Sequence, residues 1–194
     1  MPLNHGTRLA APAAALVAVL LAACGTAATS SPSSQPGSSD PVLPPGSSPG
    51  PVGAGIGALP GVEGFAYREE PGIVPGFVAG AEESVAGASD VRILQAAVAS
   101  RGDEEVSVIA FGFSGADDTQ AVDYLARVID GLEDALQTGA ERGLDGEAYV
   151  LDAQGRSTVL APWGRVDDEL VFLFFNGPTE PTQELAAAIL NAVD

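Results

Sequence analysis

Apolar and polar positions divide this chain into three stretches of different character. From Leu9 to Ala23 nearly every position is apolar, with Pro12 as an interruption. From Gly25 to about Gly61 no period is visible, and the residues are almost all Gly, Ser, Pro and small side chains. From about Val62 onward, periods of two and of three to four alternate to the end, which marks a folded domain.

Within that domain the pattern predicts a short strand over Val62–Glu69, ended by Pro71, and a short helix carrying Phe77, Val78, Ala81 and Val85. Pro75 falls at a permissible first-turn position of that helix, and Gly87 stands beyond its end as a stop. Two strands follow, Asp90–Ser100 and Glu104–Phe113, joined by a polar turn at Arg101–Asp103. The stretch from Asp117 to Gly139 carries Val122, Leu125, Ile129, Leu132 and Leu136 on one stripe, with Asp123, Arg127, Asp130 and Asp134 opposite, so it predicts an amphipathic helix. Asp117 and Gln120 suit a capping box, Asp118 suits the positive end of the helix, and Gly139 suits its stop. Strands are expected at "GEAYVLDA", "RSTVLAPW" and "ELVFLFF", with tight turns at "QG" and "GRVDD" and a last helix over Thr179–Val193 packed through Leu185, Ile189 and Ala192.

Two strands fix the architecture. Leu170 to Phe175 is apolar at six consecutive positions, and Ile109, Phe111 and Phe113 alternate with Val106, Val108 and Ala110, so both faces of each strand must be covered. Pro162 confines its own strand to an edge or a bulge. The expectation is an α+β domain over 62–194, a mostly antiparallel sheet with two or three packed helices, preceded by a signal peptide (1–23) and a disordered linker (24–61). Over Glu104–Asp194 this order of elements, with its "GEAYV" strand and "LAAAILNAV" helix, resembles PsbP-like domains. That resemblance implies a non-catalytic binding or assembly role.

The apolar run is shorter than the roughly 20 residues a helix needs to cross a bilayer, and Arg8 precedes it, as in a signal peptide. It ends at Leu21, Ala22, Ala23 and Cys24, and Cys24 is the only cysteine. This tetrad resembles the lipobox of bacterial lipoproteins. The resemblance implies a diacylglyceryl thioether on Cys24, cleavage between Ala23 and Cys24, and a place on the extracytoplasmic face of the cell membrane. Two acyl chains anchor stably where one is marginal. The linker behind Cys24 cannot bury enough apolar surface to offset its ordering entropy, and as a coil it spans about 30 to 40 Å root-mean-square.

Charge and inventory then exclude chemistry. The formal net charge is -18, from 26 acidic and 8 basic residues, and all eight basic residues are arginine. Such a chain repels nucleic-acid phosphates and anionic headgroups. Removal of 1–23 takes away His5, the only histidine, and no lysine is present, so serine, cysteine and threonine nucleophiles lack a base. Ser114 in "GFSGA" is therefore no nucleophile elbow. No catalytic residue, metal ligand or cofactor is assigned. Carboxylate clusters remain at Glu82 and Glu83, Asp103–Glu105, Asp117 with Asp118, and Asp167–Glu169, at turns and helix starts where solvation and the helix dipole favour acids. Arg101, Gly102 and Asp103 spell an adhesion tripeptide in a turn that needs glycine. Trp163, Tyr149 and Tyr67 could line an aromatic surface.

The expected function is a membrane-anchored lipoprotein whose domain binds or scaffolds an envelope component without catalysis. One alternative is a carrier holding an apolar ligand between sheet and helix, among Phe111, Phe113, Leu125, Ile129 and Phe174. The other is a carboxylate-based hydrolase.

Overall fold

The computed structural model describes residues 48–192; Leu21, Ala22, Ala23 and Cys24 lie outside the described residues. The elements are β1 (Ala66–Glu69), α1 (Val74–Ser84), β2 (Val91–Arg101), β3 (Glu104–Phe113), α2 (Asp118–Leu136), β4 (Glu141–Gly143), β5 (Ala148–Ala153), β6 (Arg156–Val166), β7 (Glu169–Pro178) and α3 (Thr179–Leu190). Short 3-10 turns at Pro71–Ile73 and Leu144–Gly146 lead into α1 and β5.

The strands form one seven-stranded sheet in the order β1-β2-β3-β7-β6-β5-β4, and every neighbouring pair is antiparallel. This is an α+β fold with a mostly antiparallel sheet and three helices. The two strands with apolar residues on both faces, β3 and β7, lie side by side at its centre, where neither face can meet water.

Strand alternation sorts the core into two layers of different grain. On one face Ile109, Phe111, Phe113, Leu160, Phe172 and Phe174 pack against α1 and α2. The other face is built from smaller residues, with Ala97, Ala99, Ala110 and Ala161 among Val106, Val108 and Leu173. Those small side chains let α3 settle close, through Leu185, Ala186 and Ile189.

The α2 cap is made as its sequence predicts. The Asp117 carboxylate accepts from the Gln120 amide at 2.9 Å and the Gln120 side chain accepts from the Asp117 amide at 3.0 Å. The helix stops earlier than expected: Gln137, at φ 52°, takes the left-handed cap position, and Gly139 lies beyond it. The buried stripe is Ala121, Leu125, Val128, Ile129 and Leu132, while Val122 is 53% exposed. A small rotation of the helix about its axis trades Val122 for Val128.

Other boundaries also differ from the pattern. The first strand begins at Ala66, because Gly64 at φ 83° and a bond from the Phe65 amide to the Val62 carbonyl turn the chain before it. β6 runs through Pro162 with a register shift between Pro162 and Gly164, so the proline sits at a bulge inside the sheet. The turn after it is two residues only, Asp167 and Asp168, both at positive φ. α3 ends at Leu190, and Ala192 is exposed.

Residues 48–61, assigned to the linker by composition, form a strap along the outer edge of β1. The Gly50 amide donates to the Tyr67 carbonyl and the Gly53 amide to the Phe65 carbonyl, both at 2.7 Å. Leu59, at the strap's turn, is 2% exposed and joins the core beneath α3. The packed part of the chain therefore begins before Val62. At the far edge, the Thr138 hydroxyl donates to the Asp152 carbonyl of β5 beyond the three-residue β4. Both margins of the sheet thus carry covering segments.

Candidate functional site

The carboxylate clusters come together mainly with arginines. Arg92 donates to Glu169 at 2.7 Å and to Asp167 at 3.3 Å. Arg165, on β6, reaches Asp118 at the start of α2 and the Asp168 carbonyl. At the opposite end of the sheet, Arg68 binds Glu105 at 2.7 Å and lies 3.6 Å from Glu70. Arg101 pairs with Glu184 of α3 and, at 3.4 Å, with Glu104. The hydrogen bonds to Glu105, Glu169 and Glu184 raise the pKa values of Arg68, Arg92 and Arg101, so these guanidinium groups stay charged. These guanidinium groups take up oxygens that a metal ion or a catalytic water would need. Among the described residues no three or more His, Cys, Asp or Glu side chains are grouped to hold a metal.

Gly102 and Asp103 form a two-residue hairpin turn, with Gly102 at φ 61°, and Arg101 ends β2, paired with Glu104. The Arg101 guanidinium is held by Glu184 and lies 5.2 Å from the Phe65 ring centroid. It is not presented as an adhesion tripeptide would need.

The three aromatics of the expected surface are not brought together. Tyr149 faces the α1–α2 layer, with Arg142 stacked 3.7 Å from its ring centroid. Tyr67 and Trp163 belong to the α3 layer. Tyr67 is 2% exposed, and burial pushes its hydroxyl up to about 12. The Tyr67 hydroxyl, the Trp163 indole nitrogen and the Thr182 hydroxyl are all buried without a hydrogen-bond partner.

The space expected of an apolar carrier is filled by rings. Phe77 of α1 stands 4.9 Å from both Phe111 and Phe174, and Phe113 stands 5.4 Å from Tyr124. A crevice beside Phe77, bounded by Gly76, Gly80, Ala81, Val128 and Leu132, offers about 10 Å³. That is room for one water at most. A second hollow of about 250 Å³ lies between the strap and β1, bordered by Ser48, Gly50, Pro51, Tyr67, Arg68 and Glu69.

Two polar constellations were not singled out from the sequence. On the α3 face Ser157 donates to Asp152, and the Gln183 amide nitrogen binds both the Ser157 hydroxyl, at 3.0 Å, and Asp152. On the other face Arg156 donates to Asn176 at 2.9 Å, and Asn176 donates to Thr158 at 2.8 Å. Both sit where β5, β6 and β7 end. The available signal was Ser157–Thr158 and Asn176 interrupting apolar strands, since a buried polar side chain needs a built partner. Ser157 is fully buried, out of a substrate's reach, so this is a structural clasp.

Compared with known proteins, the chain matches no family, no curated protein and no solved structure. Among the described residues no helix is long and apolar enough to cross a membrane.

Proposed function

We propose that this chain is an extracytoplasmic lipoprotein, anchored through acyl chains on Cys24, whose domain binds or scaffolds an envelope component without catalysis. The observation that carries the anchor is the position of the only cysteine, directly after an apolar run and Leu21-Ala22-Ala23, with a polar tether behind it. The domain supports the rest of the reading. Both sheet faces are packed, three of the four carboxylate clusters are tied to arginines, and the tether side of the chain meets the sheet at its β1 edge.

Growth with labelled fatty acid, comparing the natural chain with Cys24→Ser, tests the anchor. Label on the natural chain and none on the variant supports it, and equal label in both rejects it. The binding role is tested by cross-linking in intact cells, where a reproducible adduct of defined mass is expected. Adducts no different from those of an unrelated surface domain would reject it.

A further inference from the structure

The strap together with the turn that follows it, residues 48–64, seats Leu59, Ile56 and Val62 against the core and is otherwise tied to the sheet at few points. Its backbone is bonded to β1 and the residue before it at three places: the Gly50 amide to the Tyr67 carbonyl, the Gly53 amide to the Phe65 carbonyl, and the Phe65 amide to the Val62 carbonyl. The mutual bonds of Ile56 and Leu59 are internal to it. Leu59 is its one fully buried large side chain, and Val52 is 68% exposed. A hollow of about 250 Å³ beside the Gly50–Tyr67 bond is bordered by Ser48, Gly50 and Pro51 and by Tyr67, Arg68 and Glu69.

Closing the strap is also demanding. A Cβ on Gly55 would stand 2.5 Å from the Leu59 carbonyl oxygen, and one on Gly61 would stand 2.1 Å from that of Gly53. The turn therefore requires glycine, the residue that loses most conformational freedom on ordering. Segments with few buried contacts open locally while the rest of a protein stays folded.

We propose that the strap opens as a unit without unfolding the sheet, and that opening lengthens the tether. This use of the opening rests on the lipoprotein reading above. With the strap closed, the tether is the 24 residues from Cys24 to Ser47. Opening adds the 17 residues of 48–64. The added chain reaches about 56 to 61 Å when pulled straight. A domain that engages a partner away from the membrane can thus gain reach without letting go or losing its fold.

Hydrogen exchange on the full-length chain carrying Cys24→Ser tests the opening independently of lipidation. Peptides over 50–64 are expected to exchange at least about 100-fold faster than those of β3 and β7. Leu59→Ala should speed the strap about 30-fold or more, and because the Leu59 contact is also lost on global unfolding, β3 and β7 speed by no more than the same factor and stay at least about 100-fold slower than the strap. Strap amides exchanging at the β3 rate, in the natural strap or in Leu59→Ala, would overturn the proposal. Because Cys24→Ser cannot carry lipid, a slow strap condemns the opening alone, and absence of fatty acid on the natural chain condemns the anchor alone.

Discussion

Phe77→Ala separates a packed layer from a ligand-holding one. The ring is 5% exposed and touches Phe111 and Phe174, each at a centroid distance of 4.9 Å. Deleting it removes roughly 100 Å³ of side chain, and buried Phe→Ala changes cost about 3–5 kcal/mol. The neighbouring crevice is lined by Gly76, Gly80 and Ala81, small residues on which the helix can partly collapse, so the lower end, about 3 kcal/mol, is expected. Urea unfolding followed by Trp163 fluorescence reads this directly. With a slope of about 2 kcal/mol per molar, the midpoint should fall by about 1.5 M with the slope unchanged. A loss under about 1 kcal/mol would refute the reasoning, since α1 would then be loosely seated over the sheet as a carrier's lid would be.

Three further outcomes follow from single groups. Tyr67, neutral in the folded core up to about pH 12, ionises near 10 when unfolded, so its contribution is complete below pH 10 and falls away as pH rises toward 12. That loss amounts to about 2–3 kcal/mol, and Tyr67→Phe should abolish it in alkaline denaturation while leaving stability at pH 7 unchanged or raised, because the hydroxyl has no partner. Asp117→Ala removes half of the α2 capping box and should lower stability by about 1 kcal/mol in the same urea assay; no change would mean the cap carries nothing. Gln137→Gly relieves a left-handed residue at the α2 end and should raise the thermal midpoint, by about 0.5–1 kcal/mol of stability; a fall would show that the Gln137 side chain earns its place.

What was legible in the sequence was whatever a local period or cap could carry. The continuous apolar run at Leu170–Phe175 and the two-sided alternation of Val106–Phe113 placed β7 and β3 mid-sheet, and Asp117 with Gln120 placed the start of α2. The misses have tertiary causes. Val122 and Val128 suit the α2 stripe about equally, and only the lie of the helix on the Phe layer chooses between them. Gly139 was the natural stop, yet Gln137 takes the left-handed position, where its amide donates to the Glu133 carbonyl. Leu59 was hidden in a composition that reads as coil, because a segment held by close backbone approach needs the same glycines that a flexible tether does. The Ser157 and Asn176 clasps join strands and helix across the sheet, and no local spacing announces such pairs.

The arginines have one more consequence. Every arginine among the described residues is already occupied: Arg68, Arg92, Arg101 and Arg165 by carboxylates, Arg127 and Arg142 by tyrosine rings, and Arg156 by Asn176. Four of these seven are neutralised by the protein's own acids, and with 26 acidic against 8 basic residues the field it shows to its neighbours is predominantly negative. Such a field repels polyanions within a Debye length of about 8 to 10 Å and favours the approach of uncharged or cationic surfaces.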